Sequence, residues 1–337
     1  MTKVRAYAAA DAGAPFERFD YTLGALKADE IDIDVEYCGI CHSDYSVWKN
    51  EWGNAVYPFV GGHEAIGRVR ARGDGVDGLE IGDRVGLGWV ARSDLTTRQC
   101  LAGDHNLSPG NKATIVGRHG GFADIVRCQA VWASRLPDGL DAQAAGPLFC
   151  GGITVFNPLV QFDIRPTHRA AVVGIGGLGH LALQFLNKWG CEVTAFTSTP
   201  EKEAEAIAMG AHKTLNSRDT DSWKSAYGTY DLVLSTVAVD LDWGRLMRLL
   251  APRGRLHLVG VTPSPVALRA SQMMGDQLSF SASPVGAPAV IADMLDFCAR
   301  HQIAPKIEVT AMSRINEAMA RLHEGKARYR IVLENDF

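Results

Sequence analysis

The sequence predicts an α/β protein in two parts, a mainly β first part followed by a doubly wound parallel sheet. Three observations carry this. Residues 31–37 (Ile-Asp-Ile-Asp-Val-Glu-Tyr) alternate apolar and polar side chains without a break, the period of a strand with one wetted face. From residue 169 onward, short apolar runs alternate with stretches of helical spacing, the pattern of β-α-β units and a parallel sheet. The chain has 337 residues, and domains of about 100–200 residues make two of them.

In order along the chain, short β-like runs at 31–37, 65–71 and 122–127 are separated by glycine-rich turns. The stretch 90–119 is the least regular, with Ser, Thr, Gly, Asp and Asn throughout. The pattern changes near 151. Residues 169–173 form an apolar run that ends in glycines, and Leu178, Leu181, Ala182, Phe185 and Leu186 then recur at helical spacing. A second apolar run follows at 193–197. Further runs at 231–237 and 255–261 flank a helical stretch, another strand fits 277–282, a helix fits 313–323 and a last strand fits 329–333.

Apolar residues make up 47% and charged residues 21% of the chain, enough for both domains to bury a core. The net charge is −4 and no long run of Lys or Arg occurs, so nothing calls for nucleic acid or an anionic membrane. No apolar run approaches the roughly 18 residues of a membrane span, and the first residues lack the apolar core of a signal peptide. A cytoplasmic protein is expected. The seven cysteines are an odd number, which argues against a disulfide framework. Each is then core filler, metal ligand or nucleophile.

Gly174-Ile-Gly176-Gly177-Leu178-Gly179 fits G-x-G-x-x-G between an apolar run and an amphipathic helix, the context in which the motif binds a dinucleotide. Gly174 permits the tight turn, Gly176 lets backbone approach a pyrophosphate, and Gly179 lets helix and strand pack closely. The alternative is a glycine turn without a ligand. An acid at the tip of the second strand would hold a ribose 2′-hydroxyl. Here the strand ends in Thr197, Ser198 and Thr199, and Lys202 follows. Hydroxyls and a cation suit a 2′-phosphate and favour NADP; the alternative is a helix cap and a solvated lysine.

Three segments offer metal ligands: Cys38-Gly-Ile-Cys41-His42-Ser43-Asp44, Gly61-Gly62-His63-Glu64 and Phe149-Cys150-Gly151-Gly152. Taken singly each is ambiguous, and Cys38 with Cys41 could signal redox chemistry. Together Cys41, His63 and Cys150 make a Cys2His set, and a catalytic zinc takes three such ligands with the fourth position open. Asp44 is placed to orient the second nitrogen of His63. Glu64, next to a ligand, is an alternate ligand or shapes the field.

These residues, with Pro147-Leu148-Phe149-Cys150-Gly151-Gly152-Ile153-Thr154 and Tyr329-Arg330-Ile331-Val332, resemble the zinc-dependent medium-chain dehydrogenases, in the cinnamyl alcohol dehydrogenase-like branch. The likeness runs nearly end to end. It implies a GroES-like catalytic domain over 1–150 and 287–337 and a Rossmann NADP-binding domain over 151–286. It also implies a cytoplasmic homodimer that passes hydride between NADP(H) and an aromatic or medium-chain alcohol or aldehyde. The resemblance adds His42, Thr154, Thr236, Val237, Val259, Gly260, Ser283 and Arg330 to the cofactor residues already named, and Ser43 to the catalytic ones as a proton carrier; a local turn residue is the alternative for Ser43. Trp48, Trp52, Trp89 and Phe149 lie near the metal motifs in sequence, and Val285 joins them by resemblance, as candidate substrate-pocket residues; for the tryptophans, ordinary core is the alternative.

The sequence departs from these relatives twice. Relatives carry a structural zinc on four cysteines spaced C-x2-C-x2-C-x7-C, where this chain has Asp94, Thr97, Cys100 and Ser108. One thiol cannot hold a tetrahedral site, so one catalytic zinc and no structural zinc is expected. Ser46 stands where relatives often place a relay histidine, so the relay ends at Ser46, His42 or water. Two rival readings remain: an NADPH-dependent reductase of conjugated C=C or iminium bonds, and a non-catalytic NADPH-binding protein.

Overall fold

The computed structural model describes all 337 residues. In chain order, the elements begin with β1 (Thr2–Ala9), β2 (Phe16–Leu23), β3 (Glu30–Ile40), α1 (His42–Trp48), β4 (Ala65–Arg72), β5 (Arg84–Leu87) and β6 (Val90–Arg92). Next come α2 (Arg98–Leu101), β7 (Lys112–Ala113), β8 (Ile125–Gln129), β9 (Ala133–Arg135), α3 (Ala142–Ala145) and α4 (Gly151–Gln161). The alternating region contains β10 (Arg169–Val173), α5 (Gly179–Trp189), β11 (Glu192–Thr197), α6 (Pro200–Ala208), β12 (Lys213–Asn216), β13 (Tyr230–Ser235), α7 (Trp243–Met247), β14 (Leu250–Leu258), α8 (Ala270–Met274) and β15 (Ser279–Ala282). The chain closes with α9 (Pro288–His301), β16 (Ile307–Ala311), α10 (Ile315–His323) and β17 (Arg330–Glu334). It divides into two compact units, Met1–Ile153 with Val285–Phe337, and Thr154–Pro284.

The first unit is built on a seven-stranded sheet in the order β16-β17-β3-β4-β5-β9, with β8 also along β3. The alternation at 31–37 does form a strand, but its polar side is not simply wet. Asp32 is buried because β8 pairs with β3 at this point, and Arg127 of β8 meets both of its carboxylate oxygens at 2.7 and 3.0 Å. Further along, Asp34 and Glu36 reach solvent and pair with Arg70, and with Arg68 and Arg84. β17 runs antiparallel to β3, with Ile331 opposite Ile40 and Leu333 opposite Cys38. The β1–β2 hairpin joins the unit through bridges from Ala6 to Ala123 and Ala9 to Phe59.

The second unit is a six-stranded, wholly parallel sheet in the order β12-β11-β10-β13-β14-β15. The order reverses beside β10, where ligand crevices open at the carboxyl ends of such strands. α5 forms because Leu181, Ala182, Phe185 and Leu186 make one apolar stripe, all of it buried. It stops at Gly190, whose left-handed φ of 106° lets its N–H bond the carbonyls of Leu186 and Asn187. β14 starts at Leu250, earlier than the apolar run at 255 suggests. Pro252 and Gly254 are turn-forming residue types, but the strand absorbs them with Arg253 in an irregularity, Arg253 at φ +66°. One face packs Val173, Phe196, Val233 and Leu256 against Trp223, Trp243 and Leu246. No helix is long and apolar enough to cross a membrane.

Candidate metal centre and cofactor turn

Cys41, His63, Glu64 and Cys150 converge in the first unit, all four buried, with their ligand atoms within 4.8 Å of one another. Each is delivered by a chain reversal. Cys41 caps α1 directly after β3, His63 and Glu64 lead into β4, and Cys150 ends the 3-10 turn before α4. Cys41 Sγ and Cys150 Sγ are 3.7 Å apart, and His63 Nε2 lies 3.2 Å from Cys150 Sγ. Two thiolates on one tetrahedral zinc, with Zn–S near 2.3 Å, sit about 3.8 Å apart. The donor set and its spacing therefore fit a single zinc ion. Cys38, the other half of the C-x-x-C pair, is outside this set. Its thiol points to the Gly39 carbonyl, and burial pushes its pKa well above the usual range.

Asp44 organises the centre. One carboxylate oxygen accepts from His63 Nδ1 at 3.0 Å and from the Gly62 amide at 2.7 Å, and the other accepts from the Cys41 amide at 2.9 Å. With Nδ1 donating to Asp44, the lone pair of His63 Nε2 faces the two sulfurs. The Cys41 thiol is drawn well below its ordinary pKa by hydrogen bonding from Cys150, and then from His63, against the cost of burial.

Glu64 is fully buried and ion-paired with Arg330, which also donates to the Ile40 carbonyl at 3.2 Å. Burial pushes the Glu64 carboxyl up to about 7, with Arg330 pulling the other way. Its second oxygen, Oε2, has no hydrogen-bond partner. Gly39 makes room for it, since a Cβ there would lie 2.0 Å from Glu64 Oε2. Sequence reasoning missed this glycine. The available signal was a glycine inside a strand, which marks a close approach.

The remaining candidates separate. Ser43 Oγ is 3.7 Å from Cys41 Sγ, and Ser46 is buried on α1. His42 is exposed, 5.5 Å from the Tyr45 ring. Trp89 meets His63 edge-on at 5.0 Å, and Trp52 meets Trp89 at 6.0 Å. Trp48 instead donates its indole N–H to the Ala14 carbonyl and packs on Phe16. The Phe149 ring fills the place where a Gly86 side chain would be. Val285 is buried, with its carbonyl accepting from Asn106. Trp48 and Phe149 are thus committed to packing, while Trp52 and Trp89 gather at the metal ligand.

Two family models match this chain. Residues 27–138 match the alcohol dehydrogenase GroES-like domain, and residues 177–300 match the zinc-binding dehydrogenase family. The aldehyde reductase AdhA of Synechocystis sp. is 51% identical over 98% of this chain and 99% of its own length. A probable cinnamyl alcohol dehydrogenase 8A of Oryza sativa subsp. japonica is 37% identical over 99% and 95%. The chain belongs to the zinc-dependent medium-chain alcohol dehydrogenases, in their cinnamyl alcohol dehydrogenase-like branch. Among solved structures, a cinnamyl alcohol dehydrogenase from Sorghum bicolor superposes with a TM-score of 0.94 at 34% identity, covering 99% of this chain and 98% of that one. The Helicobacter pylori enzyme, complexed with NADP(H), gives 0.90 at 26%, covering 99% and 98%.

The second unit carries the glycine turn between β10 and α5. Gly174 has φ +90°, and a Cβ on it would meet Val237 at 2.2 Å; one on Gly179 would meet the Gly174 carbonyl at 1.9 Å. Thr236 Oγ1 donates to that carbonyl at 2.7 Å and pins the turn. A Cβ on Gly176 would meet nothing within 4 Å, so the open side of the turn lies there, at the start of α5. Gly177 and Leu178 lead into the helix, whose N-terminus favours an anion. A Cβ on Gly260 would meet the Val237 carbonyl at 2.3 Å, and the Val259 amide bonds the Ser235 carbonyl. At the tip of β11, Ser198 is half-buried, Thr199 caps α6 through the Lys202 amide, and the Lys202 ammonium is exposed. Thr154 is buried on α4. Ser283 follows β15 and contacts His257, which sequence reasoning did not single out. A lone histidine in an apolar run carries no signal of such a partner.

Proposed function

We propose that the chain is an NADP(H)-linked reductase of aromatic or medium-chain aldehydes, reversible toward the alcohols, with one catalytic zinc held by Cys41, His63 and Cys150. The observation that carries this is the meeting of two sulfurs and one imidazole, far apart in sequence, at the spacing of a tetrahedral site with Asp44 behind the histidine. When bound, the metal supplies Lewis acidity at the substrate oxygen and the nicotinamide supplies or accepts hydride.

The protein's own residues do the rest. Asp44 holds His63 in the ligating tautomer. Ser43 gives the substrate oxygen its proton or takes it away, with the relay continuing to Ser46, His42 or solvent. Glu64 is an alternate ligand held back by Arg330. Trp89 forms an apolar wall beside the metal ligand, with Trp52 extending it outward. Gly174, Gly176 and Gly179 shape the pyrophosphate cradle, while Ser198, Thr199 and Lys202 receive the 2′-phosphate; the absence of a carboxylate at residues 197–199 supports NADP over NAD. A single zinc is supported by the 94–108 loop, where Ser108 Oγ donates to Asp94 at 3.3 Å and Thr97 caps α2. These side chains bond one another instead of leaving four ligands free. The open edge of β15 supports a homodimer, and seven unpaired thiols support a cytoplasmic site.

The test is zinc per chain measured beside NADPH oxidation over an aldehyde panel. About one zinc per chain is expected, with cinnamaldehyde or benzaldehyde preferred over acetaldehyde. An enal should yield the allylic alcohol; the saturated aldehyde would favour C=C reduction. Ser43→Ala should cut turnover while zinc content stays intact, and undiminished turnover would remove Ser43 from the relay.

A further inference from the structure

His257 on β14 is fully buried, one strand in from the sheet edge formed by β15. Each ring nitrogen meets a serine of the neighbouring chain segment: Nδ1 lies 2.9 Å from Ser281 Oγ and Nε2 lies 3.0 Å from Ser283 Oγ. Arg255, two residues earlier on the same face of the strand, donates to Ser281 Oγ at 2.9 Å. Its guanidinium lies 3.8 Å over the Phe162 ring, which meets His257 edge-on at 5.1 Å.

Counting protons fixes the direction of this chain. Arginine only donates, and a serine hydroxyl carries a single proton. Ser281 Oγ accepts from Arg255, and the one acceptor within reach of its own proton is His257 Nδ1. Nδ1 is therefore the acceptor, and Nε2 carries the ring proton and donates to Ser283 Oγ. The opposite tautomer would make Ser281 accept twice and leave its own proton unpartnered, which is costly in a partly buried site. Burial first, and then Arg255, hold the His257 pKa down to about 4, so at neutral pH the ring carries one N–H. The proton of Ser283 is directed away from the imidazole, at the carboxyl end of β15, the side of the sheet that holds dinucleotides.

We propose that His257 is a positioning residue that fixes the Ser283 hydroxyl as a hydrogen-bond donor to the carboxamide of the nicotinamide. This rests on the NADP(H) reading above. A hydroxyl whose oxygen is already engaged by Nε2–H cannot rotate to bond the ring, so it meets the carboxamide carbonyl preorganised.

Two measurements on the full-length, zinc-loaded protein test this. Nitrogen-15 NMR of labelled histidine should show the His257 ring neutral at pH 7 with its proton on Nε2; a proton on Nδ1 would overturn the proposal. NADPH dissociation constants, followed by fluorescence, should rise about fivefold for His257→Leu and for Ser283→Ala. The double variant should show no further loss, because both changes remove one contact. Additive losses would overturn the proposal. His257→Gln, whose amide N–H can stand in for Nε2–H, should return to within about twofold of the unaltered protein. Binding of 2′,5′-ADP, which lacks the nicotinamide, should be equal in all variants, and a parallel loss there would overturn the proposal as general damage to the sheet. An unaltered protein that binds neither nucleotide would sink the cofactor reading itself, whereas normal binding with additive losses sinks only the role of His257.

Discussion

Asp44 Oδ1 accepts from His63 Nδ1 at 3.0 Å inside a fully buried shell. Because the same carboxylate also accepts from the amides of Gly62 and Cys41, it fixes the spacing of two ligand segments as well as the tautomer of one ligand. Asp44→Asn presents an NH2 group to one of these donors. Zinc affinity should fall about 10- to 100-fold, and unfolding free energy should fall by roughly 1–3 kcal/mol. Metal retention against a chelator measures the first and denaturant titration the second; unchanged retention would show that His63 needs no orienting partner.

Two glycine substitutions should separate packing from binding. Gly39→Ala drives a methyl to within 2.0 Å of Glu64 Oε2 and 3.1 Å of Glu64 Cβ. It should cost about 1–3 kcal/mol of stability and disturb the Glu64–Arg330 pair. Gly176→Ala meets no protein atom within 4 Å, so its melting temperature should stay put while NADPH affinity drops about tenfold or more, the methyl occupying space meant for pyrophosphate. Thermal melts paired with NADPH titrations check both, and equal behaviour of the two variants would contradict the assignment of the turn.

Ser198→Asp places an acid where the 2′-phosphate is expected. The ratio of kcat/KM for NADPH over NADH should fall at least about tenfold. A ratio that does not move would place the phosphate elsewhere.

His257 also gives the fold a pH dependence. An unfolded histidine titrates near 6.5, whereas burial and Arg255 hold the folded one down to about 4. Between these values the unfolded chain binds the extra proton, so stability is fully present above about pH 6.5 and is lost as the pH falls toward 4. The contribution at stake is roughly 3 kcal/mol. The melting temperature of His257→Gln should therefore drop less between pH 7 and pH 5 than that of the unaltered protein; identical drops would show that His257 does not titrate in this window.

The ligand set was legible in the sequence because each ligand sits in a short motif with its own turn chemistry. The parallel sheet was legible because a short apolar run marks each of β10, β11 and β13 and the second half of β14. Other features depend on tertiary context. Trp48 stands four residues after Asp44 and Trp89 twenty-five after Glu64, yet α1 turns Trp48 toward Ala14 and Phe16 while the more distant Trp89 reaches His63. α9 buries Ile291, Met294, Leu295 and Cys298 at helical spacing behind a proline start, in a stretch for which no element is predicted from the sequence. β1 escaped notice because its alanine-rich end has weak strand preference and gains its place by pairing with β2. Asp32 looked solvated by alternation and is instead sealed under Arg127 by the adjacent β8.

The antiparallel seam between β3 and β17 sets an order of assembly. Residues 38–40, just ahead of the ligand Cys41, take their strand partners from residues 331–333. The nucleotide unit, though second in the sequence, has all its residues once position 284 is synthesised, whereas the metal unit lacks an inner strand of its sheet for some fifty residues more. Translation thus supplies the whole of the later unit first, and the sheet that carries the candidate ligands is complete only once residue 334 has been added.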